Sequence, residues 1–417
     1  MNYIYSKVSS ATHFFGKTDP INLTDNFGTP LYVYNENILR ERCRDLKELI
    51  DYKRFVVNYS PKANSNVELI KIVRDEGLRV DAMSPGEIYV NKLAGYKPDQ
   101  ILYISNNVSE DEFRYAIQAG VKISVDSVSQ LKIYGQLNPG GSVAIRLNPG
   151  IGAGHHEKVI TAGQKTKFGI EIQFLPEVRE LLKKYNLSLI GINQHIGSLF
   201  MDGEAYVKST ETILSVARQF DDLEFIDLGG GFGVPYQKQA GQARFDLKDL
   251  GGKLSETLQK WVKEYGKEIE FKIEPGRYIV AESSILLGEV NSVKMNYGIK
   301  YIGTDLGFNV LIRPAMYEAH HDIEIYRKSD IPSTKEDIVR IVGNICETGD
   351  IIARDRKLPE IFEKDIIGVL DAGAYGYSMS SNYNNRLRPA EVLIQSDGNV
   401  RQIRNRETLD DLTRNFV

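Results

Sequence analysis

Cysteine is scarce in this chain: Cys43 and Cys346 are the only two in 417 residues. Two thiols do not make a disulfide framework, and so little cysteine suits a reducing compartment. No apolar run approaches the roughly 18 residues a membrane-spanning helix needs. The opening "MNYIYSKVSS" lacks the basic-then-apolar order of an export signal. An excess of one charge is missing too. The net charge is -4 with 26% charged and 42% hydrophobic residues, which excludes a global basic field for gripping nucleic acid. Internal repeats and low-complexity segments are absent. The expectation is a cytoplasmic protein with no nucleic-acid and no membrane partner. At this length one large domain with a smaller companion is expected.

What is present is a rhythm. Eight short β-rich runs recur between residues 54 and 276: "RFVVNY", "LRVDAM", "ILYIS", "VKISVD", "SVAIRLN", "LIGINQHIG", "LEFIDLGGG" and "EIEFKIEPG". Segments such as "NVELIKIVRDEG" and "EDEFRYAIQAG" separate them, with apolar residues three and four apart and a closing glycine. Eight such units predict an α/β fold, a (β/α)8 barrel over 36–281. After residue 282 strands and turns follow with little helix, predicting a β-domain built from 282–417 together with 1–35. "LYVYNENILRERC" would hand the chain from that domain into the barrel. The polar connection "EIYRKSDIPSTKED" (324–337) reads as a surface loop.

Polar residues gather where the runs end: Lys62, Asp81, Asp126, Asn148, His195, Gly229 to Gly231 and Glu274. In a parallel barrel those ends share the face on which active sites are built. Lys62 in "PKANSN" reads in two ways. A lysine at a strand end commonly snorkels into water, whereas one held in a barrel mouth has a lowered pKa and attacks aldehydes. The glycines of "DLGGGFGVPY" form a turn whose N–H groups suit a phosphate, and Val234-Pro235 rules out a dinucleotide-binding fingerprint. In "IEPGR", Glu274 would face the barrel mouth and Arg277 would meet a carboxylate or phosphate; an intrachain salt bridge is the plain alternative. His195 in "NQHIGS" is either structural or a flat surface for a heteroaromatic ring. Cys346 in "NICETGD" stands among polar residues, an uncommon setting for a core cysteine.

In this order "KANSN", "HIGS", "GGG", "EPGR" and "CETGD" resemble the diaminopimelate decarboxylases, pyridoxal-phosphate enzymes of the alanine racemase-like, fold type III barrel class. The similarity runs from "FGTPLYVY" (27–34) through "RLNPGIGAGHHEKVITAGQKTKFGI" (146–170) and "LIRPAMY" (311–317) to "GAYGYSMSSNYNNRLRPAEVL" (373–393). The resemblance implies decarboxylation of meso-2,6-diaminopimelate to L-lysine and carbon dioxide, with pyridoxal 5'-phosphate as cofactor and no metal. Lys62 would anchor the cofactor, Glu274 would meet its ring nitrogen and His195 its ring face. Gly230, Gly231, Gly276, Arg277 and Tyr375 would cradle the phosphate, with Asp81 and Ser198 as further cofactor contacts. Cys346 would be the acid, delivered across a homodimer with shared active sites. Arg277, Arg313, Tyr317, Glu347 and Tyr375 would bind the amino-acid substrate.

Some positions depart from the family pattern. Asn193 stands where many members have another histidine, Asn344 replaces a frequent proline, and Thr348 replaces a serine. None carries an assigned chemical role. The alternatives are a decarboxylase of the same scaffold acting on D-ornithine, D-lysine or carboxynorspermidine, or a regulator that binds the cofactor without catalysis.

Overall fold

The computed structural model describes residues 3–150, 166–328 and 335–417. The chain forms two compact units, Arg40–Val234 with Arg244–Ile279, and Met1–Leu39 with Pro235–Ala243 and Val280–Val417.

The first unit is the barrel. Its strands are β1 Phe55–Tyr59, β2 Arg79–Ala82, β3 Ile101–Ile104, β4 Lys122–Val125, β5 Ser142–Asn148, β6 Ser188–Asn193, β7 Phe225–Asp227 and β8 Glu270–Ile273. Every neighbouring pair is parallel, and β8 pairs with β1 to close the ring. All eight runs expected from the sequence are therefore strands. Several of the helices start where their first orphan N–H groups find side-chain acceptors. Asn66 accepts from the Glu68 N–H at 3.0 Å and Ser84 from that of Glu87 at 3.2 Å. Ser109 and Glu112 form a reciprocal capping box. Gly120 ends that helix in the left-handed conformation.

Alternate residues of each strand enter the barrel, giving it a greasy floor and a polar upper layer. Leu102, Ile104, Ala144, Ile190 and Phe225 form one buried cluster. Above it Ser124 of β4 donates to Asn193 of β6 at 2.6 Å, a contact possible only between inward-facing residues.

The second unit is a mixed sheet. The long strand Ser284–Asn296 pairs antiparallel with Leu31–Asn35, Ile366–Val369 and Ile299–Thr304. Leu31–Asn35 pairs in parallel with Ala390–Ile394, and Ile299–Thr304 in parallel with Glu336–Val342. Leu31–Asn35 and Ala390–Ile394 are buried at every position, so their alternation is lost, as expected of strands covered on both faces. Leu31, Val33, Ile285, Leu287, Ile366 and Val392 build the core there.

One expectation fails. The polar stretch 324–337 is not simply a loop, because the strands Ile323–Lys328 and Glu336–Val342 take both of its ends. Composition misleads here because Glu324 is fully buried yet satisfied. Its carboxylate accepts from the Val8 and Ser9 N–H groups at 2.7 and 3.0 Å and from the Tyr326 hydroxyl at 2.6 Å. Residues 329–334 of that stretch lie outside the described residues, as do 151–165 of the motif at 146–170.

Candidate active site

"PKANSN" is a turn fixed from both sides. The Ser60 N–H donates to the Pro275 carbonyl at 3.0 Å, and the Ala63 N–H to that of Ser60 at 3.1 Å. The Tyr59 hydroxyl donates to the Asn64 carbonyl at 2.8 Å, and the Asn64 side chain accepts from the Asn66 N–H at 3.0 Å. Lys62, half-buried, is thereby held at the end of β1. Its cation acts electrostatically on Asp81, Glu87, His195 and Glu274, which come from four other segments of the barrel.

Carboxyls dominate this mouth. Asp81, at the end of β2, is fully buried and accepts from the Ser60 hydroxyl. Burial raises its pKa to about 7, although Lys62 opposes the rise. Glu274 follows β8 and is 5% exposed; burial, then the nearby Asp227 and Asp81, hold its pKa well above the ordinary carboxylate range. Asp227, at the end of β7, lies against Glu274, accepts from the Gly229 N–H at 2.9 Å, and is raised by burial to about 6. Glu274 Oε1 is buried and finds no hydrogen-bond partner among the described residues. A protonated ring nitrogen would supply the donor that this oxygen lacks among the described residues. The mouth therefore fits a pyridinium-type cofactor.

His195 lies two residues past β6. Its Nδ1 accepts from the Gly230 N–H at 3.1 Å, so its proton sits on Nε2. Burial and the cations Lys62 and Arg146 hold its pKa well below 6.5, so the ring is a neutral plane at pH 7. The glycine run beside it tolerates no side chain. A Cβ at Gly230 would lie 2.0 Å from the Glu274 carbonyl oxygen. Gly231 has φ +114°, and its Cβ would lie 2.4 Å from the Gly197 oxygen. Gly276 packs as closely, with a Cβ there falling 2.9 Å from that of Ala63. Buried Arg277 donates from Nη2 to the Ser198 hydroxyl at 3.0 Å. Lys62, Asp81, His195, Ser198, Gly230, Gly231, Glu274, Gly276 and Arg277 are thus all residues of the barrel unit, set on its strand ends and the turns that follow.

Arg313, Tyr317, Cys346, Glu347 and Tyr375 belong to the sheet unit. Arg313 and Tyr317 bound one short helix, in which Arg313 is 1% exposed. Cys346 is exposed, with Asn384 Nδ2 3.2 Å from its sulfur, whereas Cys43 is buried and its thiol pushed up by desolvation. Glu347 accepts from the Tyr383 hydroxyl at 2.5 Å. Tyr375 sits at φ +56° in a turn where Asp371 also has positive φ, strain of the kind concentrated at working sites.

Sequence reading passed over two buried charged residues inside the barrel. Arg146 is buried, interacts with Glu274 and Asp126, and lies 4.7 Å from the Phe168 ring. Lys272 lies 3.2 Å from Glu270, and its charge lowers the pKa of Asp227. Stepping back two residues from Asn148 and Glu274, along the inward face of each strand, would have found both.

Comparisons with known proteins identify the family. The family model "Pyridoxal-dependent decarboxylase, pyridoxal binding domain" matches residues 36–281. Barrel, carboxyl-lined mouth and this match define the class, a pyridoxal-dependent decarboxylase. A diaminopimelate decarboxylase of Methanothermobacter thermautotrophicus is 44% identical over 409 residues, covering 96% of this chain and 94% of its own. A crystal structure of a diaminopimelate decarboxylase superposes with a TM-score of 0.88 at 33% identity, covering 94% of this chain and 95% of that one. The Helicobacter pylori diaminopimelate decarboxylase complexed with L-lysine gives 0.86 at 31% identity, covering 94% and 98%. The chain belongs to the diaminopimelate decarboxylase family.

Proposed function

We propose that this chain is a carboxy-lyase that converts meso-2,6-diaminopimelate to L-lysine and carbon dioxide, the last step of lysine biosynthesis. The observation that carries the reading is the barrel mouth. One lysine, a neutral imidazole and a buried carboxyl oxygen with no partner among the described residues meet there beside a glycine turn without room for side chains. Pyridoxal 5'-phosphate, when bound, withdraws the electron pair left behind as the carboxylate departs. The protein holds, orients and protonates around it.

Lys62 would hold the cofactor through its amine. Glu274, whose Oε1 has no hydrogen-bond donor among the described residues, would keep the ring nitrogen protonated. Asp227 beside it biases the pair toward sharing a proton until that nitrogen arrives. His195, neutral, would offer its plane to the cofactor ring without adding charge to it. Gly230, Gly231, Gly276 and the backbone around Arg277 bind the phosphate, with Ser198 and the Tyr375 hydroxyl adding donors. Asp81, whose carboxyl lies within reach of the Lys62 charge, would steady that cation.

The carbon that loses carbon dioxide needs a proton, and Cys346 supplies it. The exposed Sγ in a single copy supports delivery into the barrel of a second copy, making a homodimer with shared sites. Arg313 and Arg277 meet the carboxylates of the substrate, Glu347 its distal ammonium, and Tyr317 and Tyr375 add hydroxyl donors. Two free cysteines and an ordinary charge balance support a reducing, cytoplasmic setting.

The test is carbon dioxide release by the cofactor-loaded protein from meso-diaminopimelate, L-lysine, D-lysine and D-ornithine. Release from diaminopimelate with L-lysine as product is expected. Faster release from one of the others would overturn the substrate while leaving the cofactor site in place.

A further inference from the structure

Arg313 does not stand alone in the sheet unit. Its guanidinium carbon lies 4.4 Å from the centroid of the Tyr236 ring, and its Nη1 lies 2.7 Å from His321 Nε2. Tyr236 closes the motif "GGGFGVPY" and meets the His321 ring edge-on at 5.2 Å. His321 is fully buried, and its Nδ1 lies 2.7 Å from the Leu370 carbonyl oxygen.

A carbonyl oxygen can only accept, so the imidazole proton sits on Nδ1. Nε2 then carries the lone pair and accepts from the arginine, which has no acceptor of its own. The backbone makes this contact possible. Glu318 takes φ +51° at the end of the helix Arg313–Tyr317, and the reversal brings His321 back under Arg313. The neighbouring His320 faces elsewhere, its Nε2 lying 3.0 Å from Asp322 and 2.7 Å from Arg356 Nη1.

We propose that His321 and Tyr236 are positioning residues for Arg313, which fix the plane of its guanidinium and thereby set the preference for substrates bearing a second carboxylate. This rests on the reading of Arg313 as the partner of that carboxylate. An arginine recognises a carboxylate through two parallel N–H groups, so the plane in which it is held decides whether both reach. One N–H of Arg313 is committed to His321 and its face to Tyr236, so the plane of the guanidinium is set before substrate arrives.

The test uses the cofactor-loaded enzyme with meso-diaminopimelate and with D-lysine, which lacks the second carboxylate. His321→Leu is expected to raise KM for diaminopimelate about tenfold, with kcat and the absorbance of the lysine-bound cofactor near wild type. His321→Gln, whose amide oxygen reaches the place of Nε2, is expected to recover most of that loss. His320→Gln is expected to leave KM unchanged. In an Arg313→Ala background His321→Leu should raise KM no further, since the two act as one unit. An equal additional loss in that background would overturn the proposal. So would a fall in kcat and cofactor absorbance at unchanged KM, the mark of a merely structural residue.

Should His321→Leu fail to fold, the ring decides. Tyr236→Phe is expected to keep the wild-type KM and Tyr236→Leu to raise it about threefold; identical values would overturn the proposal. The underlying functional reading fails separately, through wild-type protein that does not turn over diaminopimelate at all.

Discussion

In the barrel unit the carboxyls of the site sit at strand ends and are buried, and titration there is strongly shifted: Asp81, Asp227 and Glu274 upward, His195 downward. In the sheet unit the corresponding residues sit on turns and one short helix, and two of them, Cys346 and Glu347, are exposed. A closed ring of parallel strands fixes its mouth by geometry, so charged groups can be buried there and held against one another. A turn must be fixed contact by contact. The Asp350 carboxylate does this for the loop of Cys346, accepting from the Phe308 and Ile345 N–H groups at 2.6 and 2.8 Å. Burial suits residues that hold a cofactor, and exposure suits one that must reach another molecule.

The largest expected effect comes from the barrel side. Lys62→Ala should abolish both turnover and the absorbance of lysine-bound cofactor; unchanged absorbance would break the assignment of the anchor. Next comes the sheet side. Cys346→Ala should retain that absorbance yet lose roughly 10²- to 10⁴-fold in kcat, the usual weight of a general acid. Near-normal turnover would remove Cys346 as the acid.

The smallest effect sharpens the contrast in burial. The folded pKa of Asp81 is about 7, above the roughly 3.9 of an unfolded aspartate. The unfolded chain therefore releases this proton first. The contribution of this carboxyl to stability is whole below about pH 4 and is lost as pH rises to about 7. Asp81→Asn removes the dependence. In cofactor-free protein the variant should gain on the wild type with rising pH, by up to about 4 kcal/mol, and the gap should level off above about pH 7. A gap that does not change with pH, followed by urea unfolding at several pH values, would show Asp81 to be ordinary.

How much of this was legible follows the same division. Lys62, His195 and Glu274 stand just past runs of Val, Ile and Phe, so a strand-end rule found them. Arg146 and Lys272 escaped because they sit at inward positions two residues before Asn148 and Glu274, and Asp227, though at a strand end, was overshadowed by the glycine run that follows it. In the sheet unit periodicity offered little. Asn384 touches Cys346 from 38 positions away and Tyr383 reaches Glu347 from 36, contacts that no local pattern encodes. Only the family resemblance singled out Arg313 and Tyr375. The polar stretch at 324–337 misled because Glu324 is buried against N–H groups more than 300 residues earlier in the chain.

The central claim is that a barrel lysine and a sheet-unit cysteine serve one reaction from different copies of the chain. Mixing Lys62→Ala and Cys346→Ala proteins under conditions of subunit exchange tests it most directly. Half of the dimers would be mixed, each with one intact site, so about a quarter of wild-type carbon dioxide release should return. A mixture no more active than the two variants measured apart would contradict the shared site.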